Sequence, residues 1–381
     1  MSNVDRATLD IMLARKRQQR EQQANQEPAE VKQAAPSEAD KYLKTSVEIK
    51  EENIEEREGR SLFSKVFGWK PISMPNFYIP YYDRRHWAVE IRHKIPKINL
   101  SYFLDKKTIE KTLFSIKEGD TTLLHGPTGT GKTTIAEQIA AHCVIPFFRV
   151  SCHGQMEASE FLGGNSVVNE NGVPITQHSS TDTTTAASYG GMLCIDEVFR
   201  APAECLMTLQ SLFEVPHKLS LQDSHGIDRD ISIPENDFFL MLTDNTTGTG
   251  DSQGNFVSEV QDTSTRNRIR RCVYVEYMDP KDELELLQKS FPDTPASIHI
   301  SMIKVANLMR KAFDEHIIMD TMSIRELLTW SKDLKELRNI EQAFHFGVFG
   351  KLSKEDMVQV TDMYRQVFAT DVAKGDTPDA Q

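Results

Sequence analysis

The sequence predicts an α/β fold, a mainly parallel sheet flanked by helices, followed by an all-helical domain. Short apolar runs alternate with helical stretches: "TTLLHG" (121–126), "PFFRVSC" (146–152), "GMLCIDE" (191–197), "FFLMLTDN" (238–245) and "CVYVEYM" (272–278). Strands buried on both faces read in this way, and their alternation with helices implies parallel pairing. The stretch "LLHGPTGTGKTTIAEQIAAH" (123–142) runs from strand through a glycine-rich turn into helix. After Pro280 the pattern turns helical, in "PKDELELLQKSF", "SIHISMIKVANLMRKAFDEH", "SIRELLTWSKDLKEL" and "KEDMVQVTDMYRQVF".

Taken in order, residues 1–60 form an arm rich in Gln, Glu, Lys and Ala whose single aromatic residue is Tyr42. Such composition has no packed core of its own. Within it Leu9, Met12 and Leu13 share a helical face ahead of Arg15, Lys16, Arg17 and Arg20. The segment reads either as a solvated tail or as a short partner-docking helix. Residues 61–280 form the α/β domain. Its opening, "LFSKVFGWKPISMPNFYIPYYDRRHW", carries Pro71, Pro75 and Pro80, which rule out a long helix and predict an extended wrapping segment. Next, "FLDKKTIEKTLFSIKEGD" places Leu104, Ile109, Leu113 and Ile116 at helical spacing. The polar stretch 163–191 reads as a hairpin around its Asn-Glu-Asn-Gly turn with Val167, Val168, Val173 and Ile175 beside it, or as a plain surface loop. Residues 281–372 form the helical domain, and 373–381 a flexible tail.

Gly126-Pro127-Thr128-Gly129-Thr130-Gly131-Lys132-Thr133 fits the phosphate-binding pattern G-x-x-x-x-G-K-[ST] in full. Glycines let the backbone curl so that successive N–H groups and the helix N-terminus face an anion. ATP is the cofactor this predicts, with Lys132 on the β- and γ-phosphates, Thr133 on Mg²⁺, and Thr134 opening the covered helix face. Asp196 and Glu197 end the apolar run "MLCIDE". The first carboxylate suits Mg²⁺, and the second can orient and deprotonate the attacking water. Asn245, at the end of "FFLMLTDN", brings an amide to the γ-phosphate, whereas the neighbouring Asp244 would repel it.

Arg266, Arg268, Arg270 and Arg271 crowd ahead of the last strand, and Arg325 opens a helix of the second domain. Guanidinium groups stabilise transferring phosphate charge, and one at a domain edge can reach a neighbour's nucleotide. The cluster therefore favours a homo-oligomeric ring; its other reading is a basic surface patch.

The ordered set of loop, Asp-Glu strand, Asn strand, arginine and helical lid resembles an AAA+ ATPase. Across residues 67–369 the chain resembles the cobaltochelatase ATPase subunit (CobS) family and the nearby MoxR-type ATPases. The resemblance rests on "MPNFYIPYYDRR", "LTDNTTGTGDSQGNF", "STRNRIRR", "TMSIRELLTW" and "VTDMYRQVF". The run after the sensor asparagine stands here as Asn245-Thr246-Thr247-Gly248-Thr249-Gly250-Asp251. The resemblance implies an AAA+ core with a lid, an insertion at 163–191, a hexameric ring, a partner with a von Willebrand A-type domain and a client protein to be remodelled. It matches Arg268 to the family's finger arginine and Arg325 to its lid sensor. Asn267, Ile269 and Ile324 depart from the family pattern, so Arg266 and Arg270 remain alternatives for the finger.

The chain's 44 basic and 56 acidic residues give a net charge of −12 over 381 residues, which argues against a surface built to follow a nucleic-acid backbone. A nucleic-acid-stimulated motor or loader is the alternative reading, and the ATPase subunit of a metal chelatase another. With 39% hydrophobic residues, a sizeable core is expected. No apolar run approaches the roughly 18 residues of a membrane span, and no signal peptide opens the chain, so a cytoplasmic, membrane-free protein is expected. Cys143, Cys152, Cys194, Cys205 and Cys272 lack metal-ligand spacing and read as buried, reduced thiols.

Overall fold

The computed structural model describes residues 59–100, 102–170, 173–222, 228–250 and 258–372. The expected arm helix around Leu9, Met12 and Leu13, Asp251, and the tail 373–381 lie outside the described residues.

Five strands form one parallel sheet: β1 (Thr122–His125), β2 (Phe147–Ser151), β3 (Gly191–Asp196), β4 (Phe238–Asp244) and β5 (Arg271–Tyr274), in the order β5-β1-β4-β3-β2. Every residue of β3 and of β4 is buried, which is why both are nearly uninterrupted apolar runs. Between one strand and the next a helix or loop returns the chain to the same end of the sheet, as parallel pairing requires. Helix α1 (Lys106–Lys117) is capped by Asp105, whose carboxylate accepts from the Thr108 N–H at 2.8 Å. It buries Ile109, Leu113 and Ile116, while Leu104 precedes it. Helix α2 (Lys132–Cys143) follows the glycine-rich loop.

The aromatic segment ahead of α1 wraps the sheet domain. Arg60–Leu62 pairs antiparallel with Tyr78–Pro80, and Phe63 packs among Phe67, Trp69 and Phe77. The buried Glu110 of α1 accepts from the Ile72 and Ser73 N–H groups at 2.5 and 2.8 Å. Trp87 fastens the other end, its indole N–H donating to the Val144 carbonyl at 2.7 Å.

The insertion holds an antiparallel hairpin, Gly164–Glu170 with Val173–Ser179, and then helix α3 (Asp182–Tyr189). A second hairpin, Leu219–Gln222 with Asp228–Ile231, has no counterpart in the sequence expectations. Its strands are too short and polar to show an apolar period. Helix α4 (Thr263–Arg268) leads into β5.

The C-terminal helices are α5 (Pro280–Ser290), α6 (Ala296–Asp314), α7 (Ile324–Leu337), α8 (Ile340–Gly347) and α9 (Lys354–Val372). They share a separate core of Leu287, Met302, Met309, Leu327, Trp330 and Phe344. The sequence patterns missed α8, which spans only 8 residues but closes this core by setting Phe344 against Trp330, ring centroids 4.7 Å apart.

Two expectations need correction. Four of the five free cysteines are buried, but Cys272 is exposed. The run 272–278 was expected to be a strand covered on both faces, yet β5 ends at Tyr274 and exposes Arg271, Cys272 and Tyr274. As the edge strand of the sheet it has β1 on one side only. Among the described residues, no helix is long and apolar enough to cross a membrane.

Candidate functional site

The sheet register sets the site. Asp244 lies opposite His125, and Thr243 opposite Asp196, so β1, β4 and β3 end level with one another. Ligands of parallel α/β sheets bind beyond these carboxyl ends.

From β1 the loop Gly126–Gly131 curls back and becomes α2. Gly126 has φ 145°, and a side chain there would meet the Val275 carbonyl oxygen at 2.3 Å. Thr130 donates to the Pro127 carbonyl at 3.0 Å, tightening the curl, and Thr128 lies on its outer side with a carbonyl that accepts from Tyr277 at 3.2 Å. Lys132 is buried, and its ammonium donates to the carbonyls of Gly126 (2.9 Å) and Pro127 (2.8 Å) and to Asn245 Oδ1 (2.9 Å). Burial above all, with the Arg325 charge adding to it, lowers the Lys132 pKa to about 8 despite Asp244, Asp196 and Glu197. Thr134 is half-buried on the first turn of α2.

Thr133 donates its hydroxyl hydrogen to Asp196 Oδ1 at 2.6 Å. The same oxygen accepts from Thr243, and Oδ2 accepts from Arg149 Nε and a terminal guanidinium nitrogen at 3.0 and 2.5 Å. Burial works to raise the Asp196 pKa, but these hydroxyls and the guanidinium outweigh it and hold the carboxyl below its ordinary range. Glu197 follows in a left-handed conformation, φ 55° and ψ 44°, and pairs with Arg200 at 2.8 Å. That conformation turns the chain sharply out of β3 and is costly for a residue with a side chain.

Asp244 takes no part in the cradle. Its two oxygens accept from the Phe199 N–H at 2.9 Å and the Thr246 N–H at 2.8 Å, which fixes the turn that presents Asn245. Of the clustered arginines, Arg270 and Arg271 both pair with Asp120. Arg268 pairs with Glu214 at 2.6 Å. Arg266 has no carboxylate partner among the described residues, and its Nε is buried without a hydrogen bond. The structure therefore gathers Gly126–Thr134, Asp196, Glu197 and Asn245 at one end of the sheet, and places Arg266 and Arg268 on α4.

Against this geometry, the family described as AAA domain (dynein-related subfamily) matches residues 121–258. The aerobic cobaltochelatase subunit CobS of a Sinorhizobium species is 24% identical over 283 residues, covering 73% of this chain and 84% of that protein. The denitrification regulatory protein NirQ of Pseudomonas aeruginosa is 29% identical over 106 residues, 28% of this chain and 39% of NirQ. These likenesses support a CobS/MoxR-like AAA+ ATPase. Among solved structures, the RuvB Holliday junction branch migration motor of Thermotoga maritima aligns with a TM-score of 0.41 and 17% identity, over 66% of this chain and 72% of that one.

The C-terminal helical lid meets the loop at α7. Gly129 has φ 73°, and a Cβ there would lie 2.2 Å from the Cβ of Ser323, the α7 N-cap. Arg325 follows on the first turn of α7, exposed and without an ion pair among the described residues, its charge acting on both Lys132 and Tyr102. Tyr277 bridges the two regions, donating to the Thr128 carbonyl and standing 3.2 Å from the Thr321 hydroxyl. Beside the loop a cleft of about 380 Å³ is lined by Tyr102, Thr130, Ile135, Val275, Tyr277 and Met278.

Sequence reasoning missed Arg149, Thr243, Tyr102, Tyr277 and Ser323. Only Arg149 left a signal, a charged residue inside the apolar run "PFFRVSC". The others lie at ordinary positions and acquire their places through register and docking.

Proposed function

We propose that the protein is a Mg²⁺-dependent ATPase that assembles as a hexameric ring and uses hydrolysis to remodel a partner protein complex in the cytoplasm. The observation that carries this reading is the convergence of Thr133 and Asp196, 2.6 Å apart, beside a Lys132 ammonium bonded to Asn245. A hydroxyl and a carboxylate form the all-oxygen donor set that Mg²⁺ accepts, since it keeps waters and phosphate oxygens for its remaining positions. Thr133 and Asp196 would hold the ion, which when bound neutralises phosphate charge.

The chain's own groups divide the remaining work. Loop N–H groups and the α2 N-terminus bind phosphate oxygens, and Lys132 exchanges its carbonyl partners for them. The cleft beside Tyr102 and Tyr277 takes the nucleoside end. Glu197 orients the attacking water and accepts its proton once its carboxylate leaves Arg200. Asn245 reports the γ-phosphate through its bond to Lys132, and Arg325 carries that report to the lid. Arg268, or its neighbours Arg266 or Arg270, completes the site of an adjacent copy.

CobS is by name a subunit of a cobaltochelatase, so its likeness supports work within a multi-subunit complex. A partner with a von Willebrand A-type domain fits this reading. The same likeness favours a second one, the ATPase subunit of a metal chelatase whose reaction centre lies on another chain.

The test compares Lys132→Ala and Glu197→Gln with the parent in nucleotide binding, turnover and sedimentation. Lys132→Ala is expected to lose binding. Glu197→Gln is expected to bind ATP, stay assembled and turn over about 10²- to 10⁴-fold more slowly. Parental turnover by Glu197→Gln would remove that carboxylate from the chemistry. Proteins retained on the Glu197→Gln ring identify the client.

A further inference from the structure

Arg149 is a charged residue in β2, and its guanidinium reaches across to the carboxylate of Asp196 on β3. Two of its nitrogens, Nε and a terminal one, donate to the same oxygen, Oδ2, at 3.0 and 2.5 Å. The other oxygen, Oδ1, is already shared by the hydroxyls of Thr133 and Thr243. The two partners differ in freedom. The Asp196 side chain is 7% exposed, whereas that of Arg149 is 54% exposed.

Asp196 is held from three directions without Arg149. Its backbone pairs with β2 at Ser151 and with β4 at Thr243, and its side chain is pinned through Oδ1 by two hydroxyls from separate elements. Orientation is therefore over-determined, and what Arg149 adds is positive charge. A buried carboxylate without a counter-charge is strongly destabilising, so that charge compensates Asp196 whenever no metal ion does so. Two cations at one carboxylate oppose each other, and the more exposed one can yield by rotating into solvent.

We propose that Arg149 is a built-in counter-cation for Asp196 with which Mg²⁺ must compete, so that it raises the Mg²⁺ concentration at which the nucleotide site loads. This rests on the Mg²⁺–ATP reading given above. Arg149 acts through the charge of Asp196 and touches neither nucleotide nor metal itself. Its effect is on metal loading, with the sign opposite to that of a residue that orients Asp196 for the metal.

The experiment uses the full-length chain and a fluorescent, non-hydrolysable ATP analogue, with binding followed as free Mg²⁺ is titrated. Arg149→Gln is expected to lower the half-saturating Mg²⁺ concentration about fivefold, the scale that one partly exposed ion pair sustains. Arg149→Lys, which keeps the charge and loses the fork, is expected to stay near the parent. In EDTA the melting temperature of Arg149→Gln is expected to fall below the parental value, with the gap narrowing when Mg²⁺ and the analogue are added. An unchanged or higher Mg²⁺ requirement in Arg149→Gln overturns the proposal, as does an Arg149→Lys protein that behaves like the Gln variant. Failure of the parent to bind the analogue at any Mg²⁺ concentration would overturn the nucleotide reading itself. Binding with identical Mg²⁺ dependence in parent and Gln variant would overturn only the counter-cation.

Discussion

The ammonium of Lys132 donates to Asn245 Oδ1 across 2.9 Å, so one side-chain bond joins the glycine-rich loop to the end of β4. The two residues are 113 positions apart in the chain. Parallel pairing of β1 with β4 brings them together, and burial between the strand ends leaves the ammonium short of water. Its lowered pKa has a consequence for binding.

With the Lys132 pKa at about 8, the ammonium is present below that pH and is lost from the free protein above it. Phosphate binding above about pH 8 must then take up a proton. Nucleotide affinity is expected to fall as pH climbs through 8, approaching tenfold per pH unit. Fluorescent-nucleotide titrations from neutral pH to about 10 read this directly, and a flat profile would refute it. For folding the sign is opposite: the unfolded chain keeps this proton until its usual value of 10.5, so stability rises with pH between 8 and 10.5.

Gly129 and Ser323 bring loop and lid into contact, and this contact leaves no room for a side chain. Gly129→Ala combines an unfavourable φ with a Cβ placed against the lid, so the lid must move away. Nucleotide is expected to bind at least about tenfold more weakly, on the scale of local backbone strain. A titration calorimeter measures this, and an unchanged affinity would show that the lid contact is irrelevant to binding.

Arg266 and Arg268 share α4 but differ in their pairing. Arg268 is 28% exposed and held by Glu214, an exposed pair worth at most about 1 kcal/mol. Arg268→Ala should therefore leave melting nearly unchanged. If Arg268 serves a neighbouring copy, that variant loses turnover in the assembled state and keeps the monomer's nucleotide affinity. Loss of turnover in Arg266→Ala alone would instead assign the role to Arg266. Mixing either variant with Lys132→Ala protein separates the cases, because complementary defects on adjacent copies restore part of the activity.

Arg310 and Glu283 form a buried two-pronged ion pair at 2.6 and 3.1 Å at the base of the lid. Arg310 also donates to the Met322 carbonyl and lies 4.3 Å from the centre of the Tyr277 ring. Arg310→Met leaves a buried carboxylate without its counter-charge, with an expected loss of about 3–5 kcal/mol. Urea denaturation of the monomer measures it. A loss below about 1 kcal/mol would mean that water reaches Glu283.

The glycine-rich turn between strand and helix, the strand ends carrying Asp196–Glu197 and Asn245, and the parallel sheet were legible in the sequence because each is written locally. A buried parallel strand must be an apolar run, and a loop that wraps phosphate must carry glycines at fixed spacing. Cys272 and α8 were misread or missed where local pattern runs out. An edge strand and a central one share the same apolar residues, and an eight-residue helix gives the period little to act on. Only the tertiary structure decided which arginine meets which carboxylate. Arg149 reaches Asp196 through strand order, Arg268 reaches Glu214 from α4, and Ser323 reaches Gly129 through lid docking. Charge pairing depends on distances between segments far apart in the chain, and those distances are fixed by packing.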